Sequence, residues 1–278
     1  MSVSCGTPSD AKQTAAATYN SASDAYDHPT NSFWAYFGQR TVERLHLPVG
    51  GHVLDVCCGS GASAIPAADA VGVEGSVLGI DLAENLLTLA RAKATAKGLN
   101  NIQFRTGDLM ALGFEAGRFD AVICVFGIFF VPDMQAAVNE LWRLVKPGGK
   151  LAITTWGPRF FEPANSAFWN SINTIRPDLH KSFHPWDRIS EPEPLLKLFH
   201  AAGAPGAEVV PEEHSHPVNS PEDWWSAILG SGYRGTVDEL TADEYERVRQ
   251  ENADFISRTG VRTIEANVLY GVATKSNE

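Results

Sequence analysis

Two carboxylates and a glycine-bearing bend are the residues best placed to do chemistry. In Val53-Leu54-Asp55-Val56-Cys57-Cys58-Gly59-Ser60-Gly61 an apolar run ends in an acid and then in two glycines. Glycine lets the backbone turn sharply and lets a ligand lie against bare peptide. Asp81 closes the next apolar run, 20 residues beyond Gly61. A carboxylate there can accept hydrogen bonds from both ribose hydroxyls of an adenosine-containing ligand, a feature common to nicotinamide and methionine-derived cofactors. Gly59, Gly61 and Ala64 also satisfy the looser dinucleotide pattern, so the bend alone does not choose between them. An acid that merely ends a strand is a fair account of Asp55 or Asp81 singly. It is a poor account of both, with the bend, at this spacing.

The elements that must hold these residues can be read around them. From Gly51 to Trp156 short apolar runs alternate with helical patterns, the signature of a parallel sheet covered by helices, an α/β doubly wound architecture. Strands are predicted at His52–Val56, Val77–Asp81, Ile102–Arg105, Phe119–Val125 and Lys150–Thr155. Leu86, Leu87, Ala90 and Ala94 share a helical face that Gly98 ends, and Asp133 can cap a helix carrying Ala137, Leu141, Leu144 and Val145. Lys146-Pro147-Gly148-Gly149 then turns the chain back into the sheet. Residues 1–30 read as a mobile arm, and Phe33 to Leu47 as an aromatic helix ended by Pro48. Pro158 to Ile189 is aromatic and proline-rich, Glu193 to Ala202 helical, and Ala207 to Val218 a strand. Ser220 to Arg258 is helical with a break at Gly230-Ser231-Gly232, and Ile264 to Thr274 is a last strand. The expected organisation is an arm and lid helix at 1–48, a cofactor-binding core at 49–157, and the remainder of the same domain at 158–278. Cap insertions fall at about 158–190 and 219–260.

Composition removes several functions. A net charge of −11 with no Lys/Arg-dense stretch speaks against nucleic acid, whose phosphates are held by neutralising cations. Met1 to Ala17 lacks the charged start and apolar run of a secretory signal, and the longest apolar run, Ala121 to Val131, is too short to span a bilayer. Cys5, Cys57, Cys58 and Cys124 form no Cys-x-x-Cys, so reduced thiols and a cytoplasmic location are expected. No Gly-x-Ser-x-Gly elbow and no His-Glu-x-x-His occur, which removes the commonest hydrolase readings. None of the six tyrosines precedes a lysine by four residues, which weakens a nicotinamide-dependent oxidoreductase without closing that alternative.

Further motifs follow in order: Gly107-Asp108-Leu109 after the third strand, Phe119-Asp120-Ala121-Val122-Ile123 into the fourth, Pro147-Gly148-Gly149-Lys150-Leu151 into the fifth. Together with the bend and Asp81, over roughly Val53 to Trp156, this set resembles the class I S-adenosylmethionine-dependent methyltransferases, most of all the ubiquinone/menaquinone-biosynthesis type. The resemblance implies a Rossmann-like, mostly parallel seven-stranded sheet, its last strand antiparallel, with helical cap insertions, and S-adenosyl-L-methionine as cofactor. It places Asp55, Gly59, Ser60 and Gly61 at the amino-acid end of the cofactor, Asp81 on the ribose and Leu82 beside the adenine. Asp108 would accept from the adenine amino group with Leu109 against the ring, and Val125 and Phe126 would face the sulfonium. Tyr19 and Tyr26 lie where related enzymes fold a helix over the cofactor, which implies a lid. Two departures stand out: Cys57 replaces a usual glycine, and Pro66 should kink the helix after the bend.

On the acceptor side the residues speak more softly. Methyl transfer from a sulfonium needs exclusion of water and an aligned nucleophile, so no loud catalytic signature is expected. Aromatics concentrate in the segments that should roof the core, which points to a small, largely apolar or aromatic metabolite methylated on O or N, a secondary metabolite or quinone among them; carbon methylation is an alternative. Phe130, Trp186, Trp225 and Tyr233 are candidate lining. His28 and His184 are candidate bases, each weighed against an ordinary loop histidine, and Arg234 a candidate carboxylate anchor weighed against a surface arginine. His214 with His216, and His180 with His184, lack an obvious third ligand, so no metal is expected. The partner expected is a small molecule, with no membrane span and with a homodimer left open.

Overall fold

The computed structural model describes residues 8–277. Seven strands form one sheet: β1 (His52–Val56), β2 (Ser76–Asp81), β3 (Ile102–Thr106), β4 (Phe119–Val125), β5 (Val145–Trp156), β6 (Glu208–Glu212) and β9 (Val268–Thr274). Their order is β3-β2-β1-β4-β5-β9-β6, and β9 alone runs antiparallel to both its neighbours. The order reverses beside β1, so the C-terminal ends of β1, β2 and β4 flank a crevice, the place where open α/β sheets bind ligands.

The sheet forms because its strands are apolar on both faces. Val53, Ala121, Ile123 and Ala152 pack on one side with α2 (Phe33–Leu45) and α3 (Ala64–Val71). Leu54, Val122, Cys124, Leu151 and Ile153 alternate with them and pack on the other side with α5 (Met134–Leu144) and α7 (Pro192–Ala201). Each fully buried branched side chain is worth about 1.5–3 kcal/mol, so register is strongly specified. α4 (Glu84–Ala96) covers β2 and β3. Asp133 caps α5 as expected, its Oδ1 accepting from the Ala136 N–H at 2.9 Å.

Several expectations are corrected. The described part of the arm is a 19-residue helix, α1 (Pro8–Tyr26); residues 1–7 lie outside the described part. Pro66 does not kink α3, because that helix starts at Ala64 and proline in a first turn removes an N–H that has no helical partner anyway. The stretch at 207–218 is not one strand. β6 stays in the main sheet, then β7 (Ser215–Pro217) pairs with β8 (Thr263–Glu265) in a separate ribbon. The last stretch divides likewise, into β8 and β9.

Over the crevice sits a cap made of α1, α6 (Ala164–Ile175), α8 (Pro221–Leu229), α9 (Arg234–Val237) and α10 (Ala242–Thr259). α10 opens with a capping box between Thr241 and Glu244. Buried Trp224 donates through Nε1 to Asn252 Oδ1 at 2.9 Å, so the polar groups at the α8–α10 contact are paired. No helix among the described residues is long and apolar enough to cross a membrane.

Candidate active site

The bend after β1 is held by Asp81. Its Oδ2 accepts from the Gly59 N–H and its Oδ1 from the Ala83 N–H, both at 2.8 Å. A carboxylate oxygen has two lone pairs, so each keeps one for a ligand, and Asp81 lines the cavity beside the bend. Burial raises the Asp81 pKa, against the backbone N–H groups that lower it. Gly59 and Gly61 sit at φ +53° and +85°, and a Cβ on Gly59 would come within 3.2 Å of Tyr26 Oη. Cys57 takes the same left-handed backbone, φ +56°, which favours the glycine usual in the resembling family. The thiol is accommodated because Gly127 leaves room; a Cβ there would lie 2.3 Å from Cys57 Cβ.

Asp55 is fully buried at the end of β1. Ser63 Oγ donates to its Oδ2 at 2.7 Å, while Oδ1 has no hydrogen-bond partner. Burial pushes its pKa up to about 7, opposed by the Ser63 hydrogen bond and aided by the charge of Asp81. Ser60 Oγ donates to Asp27 Oδ1 at 2.7 Å and accepts from Lys93 Nζ at 2.8 Å. Asp108 caps a short turn through the Met110 N–H at 2.8 Å, and Lys12 of α1 donates to its other oxygen. Leu109 is buried beneath.

Two connected spaces lie under α1. The inner one is a slot of about 90 Å³ lined by Tyr19, Tyr26, Trp34, Cys57, Gly59, Asp81, Leu82, Val125 and Phe126, among others. The outer one is a chamber of about 460 Å³ walled by Phe129, Phe130, Trp156, Phe160, Trp169, Trp186 and Tyr233. Ala15, Tyr19, Trp34 and Phe130 belong to both. Tyr26 stacks on Trp34 at 5.0 Å and Phe126 on Trp156 at 4.0 Å, which fixes the ring planes. A groove of about 850 Å³ at the opposite edge of the sheet, around His52, Ser76 and Asn101, lies away from both acids and the bend.

In the chamber wall the titratable side chains are Lys181, His184 and Tyr233, together with Tyr19. Tyr233 Oη donates to Asn165 Oδ1 at 2.6 Å. His184 stacks on Trp186 at 4.6 Å; burial lowers its pKa, against the charge of Asp187.

Of the residues singled out from sequence, Asp81, Leu82, Gly59, Val125, Phe126, Tyr19 and Tyr26 meet at the slot, and Phe130, Trp186, Tyr233 and His184 at the chamber. Three do not. His28 is exposed and caps a short turn with Thr30. Trp225 Nε1 donates to Tyr245 Oη between α8 and α10. Arg234 is no loop residue: it opens α9 and is held by Asp24 and Asp238. The sequence reading missed Lys181, which nothing local distinguishes from a surface lysine. It also passed over Ala15 and Ala16, small residues on one side of a helix that was read as an arm.

The model of a methyltransferase domain matches residues 53–149, the stretch that builds the bend and both acids. The demethylmenaquinone methyltransferase of Lactococcus lactis is 31% identical over 200 residues, 66% of this chain and 79% of that protein. The chain belongs to the class I S-adenosylmethionine-dependent methyltransferases of the menaquinone type. Its enzymatic cofactor is therefore S-adenosylmethionine, and the nicotinamide alternative falls. Within this family the aklanonic acid methyltransferase DauC of a Streptomyces strain is 36% identical over 137 residues, 49% of this methyltransferase and 62% of that one. The phosphoethanolamine N-methyltransferase 2 of Haemonchus contortus shares the fold at a TM-score of 0.56 and 17% identity. That match covers 93% of this methyltransferase and 60% of that chain. The residues present fit the cofactor: a buried carboxylate oxygen of Asp55 lacks a partner, Asp81 keeps free lone pairs, and Gly59 exposes bare peptide.

Proposed function

We propose that this methyltransferase transfers a methyl group to an oxygen or nitrogen of a small, largely apolar planar metabolite. The carrying observation is the chamber, an aromatic space of about 460 Å³ that shares a wall with the cofactor slot. When bound, S-adenosylmethionine supplies a methyl on a sulfonium whose departure needs no acid. The chain's own work is then to bind, align and keep water out.

Asp81 would hold the ribose diol and Leu82 the adenine edge. Asp108 and Leu109 would take the far side of the base, once Lys12 gives up its hold on Asp108. Asp55, with Gly59, Ser60 and Gly61, would meet the amino-acid end, where an ammonium would supply the partner that Asp55 Oδ1 lacks. Val125 and Phe126 would face the sulfonium. Tyr19 and Tyr26 lie on or at the end of α1, which acts as the lid: a slot of about 90 Å³ is far below the roughly 300 Å³ of ordinary ligand sites, so α1 must swing out to admit cofactor. Phe130, Trp186 and Tyr233 would sandwich the acceptor. His184, kept neutral by burial, is in the form that accepts a proton from an acceptor hydroxyl.

Ring-carbon methylation is the second reading, kept because quinone-type enzymes are among the relatives. The net charge of −11 supports a small-molecule acceptor over nucleic acid, and the proposal includes a cytoplasmic place in secondary metabolism, with a homodimer left open. Incubation with methyl-labelled S-adenosylmethionine and a cell extract tests the proposal. Label should partition into organic solvent as a small molecule; label in protein or nucleic acid, or none transferred, contradicts it.

A further inference from the structure

The chamber has two chemically different ends. Tyr19, Trp34 and Phe130 mark the inner end, because they also wall the cofactor slot. Lys181 and His184 wall the chamber only, and Lys181 is an exposed rim residue. Its ammonium lies 5.9 Å from the centroid of the Trp169 ring.

Among the described residues Lys181 is the one Lys or Arg of the wall, and no Asp or Glu lines the chamber. Among the described residues it enters no ion pair with a carboxylate. Of the acids beside it in sequence, Asp178 is paired with Arg176, and Asp187 accepts from the His184 backbone N–H at 2.7 Å. The other titratable groups facing this corner are His180 and His184, and the charge of Asp187 acts on His184 against the burial that lowers its pKa. Trp169, 94% buried and part of the same wall, carries an indole N–H without a partner. The wall at this corner therefore presents an ammonium and an unpaired N–H, while Asp187 stands behind it, hydrogen-bonded to the backbone. Although the residue as a whole is exposed, desolvation beside the chamber wall lowers the Lys181 pKa, and the Trp169 ring offsets part of that cost.

We propose that Lys181, with the Trp169 indole N–H, binds a carboxylate on the outer end of the acceptor, so that the enzyme selects planar aromatic acids and methylates them at the end nearer Tyr19 and Phe130. This rests on the proposed acceptor chamber and adds the charge of its occupant. A carboxylate at the rim keeps part of its hydration while its ring enters the aromatic walls, which suits an amphipathic molecule. Lys181 here is a binding residue that sets specificity and takes no part in the bond-making step.

6-Hydroxy-2-naphthoate, with hydroxyl and carboxylate at opposite ends, and 2-naphthol share ring and hydroxyl and differ by the carboxylate. Both are titrated calorimetrically, at about pH 7, into enzyme saturated with S-adenosylhomocysteine. Wild type should bind the naphthoate about tenfold or more tightly than the naphthol, as expected for a charge-assisted pair. Lys181→Met should bring the ratio of the two dissociation constants to within about twofold, and Lys181→Arg should restore most of it. Equal affinities in wild type, or a preference that survives in Lys181→Met, overturns the carboxylate end and leaves the acceptor chamber standing. Failure of Lys181→Arg to restore the preference also counts against a charge role. Binding of neither probe overturns both, and then it is the chamber reading that has failed.

Discussion

Asp55 shows how one buried side chain beside the proposed cofactor site bears on stability. A carboxylate with one oxygen hydrogen-bonded and the other orphaned is costly to ionise, and its pKa is accordingly pushed up to about 7. The unfolded chain releases this proton near pH 4, the ordinary value. The native value is the higher one, so the stability contributed by the neutral form is complete below about pH 4 and is lost as pH rises through about 7. Asp55→Asn removes the titration. The melting temperature of the variant, relative to wild type and without cofactor, should climb between pH 5 and pH 8, by the equivalent of a few kcal/mol. A difference that stays flat with pH would mean that Asp55 is not the ionisable burden assigned to it. The bend and the two acids were legible in the sequence because strand ends are rigid and their spacing is local. Lys181, His28, Trp225 and Arg234 were not: what decides their role is how a loop (Lys181, His28) or a cap helix (Trp225, Arg234) is laid against segments far away in the chain.

At the scale of elements, α1 carries the most consequence. It is latched at several points: Lys12 to Asp108, Asp24 to Arg234, and Asn20 Oδ1 accepting from the Asn85 N–H at 2.9 Å. Each exposed pair is worth at most about 1 kcal/mol, a weak hold that is compatible with the proposed lid movement. Removal of residues 1–26 should raise the dissociation constant for S-adenosylhomocysteine about tenfold or more, chiefly through faster release seen in stopped-flow. Unchanged affinity would end the lid assignment. Strands β1 to β5 were readable from apolar runs and glycine punctuation. α6 was missed although Ala164, Phe168 and Ile172 keep a helical spacing, because the prolines and aromatics around them dominate the stretch. The exchange from β6 to β7 leaves no local mark: alternation continues through Glu213 and His214 while the chain changes sheets.

For the whole molecule, the sheet edge provides a rigid floor and the cap a replaceable roof. The floor is built within residues 52–156, which is also where the methyltransferase domain matches. The chamber is assembled from α1, the segment after β4, the region after β5 and the turn before α9, elements separated by up to about two hundred residues. That division explains why cofactor class is evident from a short stretch, whereas the proposed acceptor class rests on the assembled cap. It also makes one measurement decisive: a crystal structure after soaking with S-adenosylhomocysteine and a nicotinamide dinucleotide together. The expected density is S-adenosylhomocysteine alone, its ribose on Asp81 and its sulfur turned toward the aromatic chamber between Phe126 and Tyr19. Dinucleotide in that crevice, or a sulfur facing away from the chamber, would contradict the account.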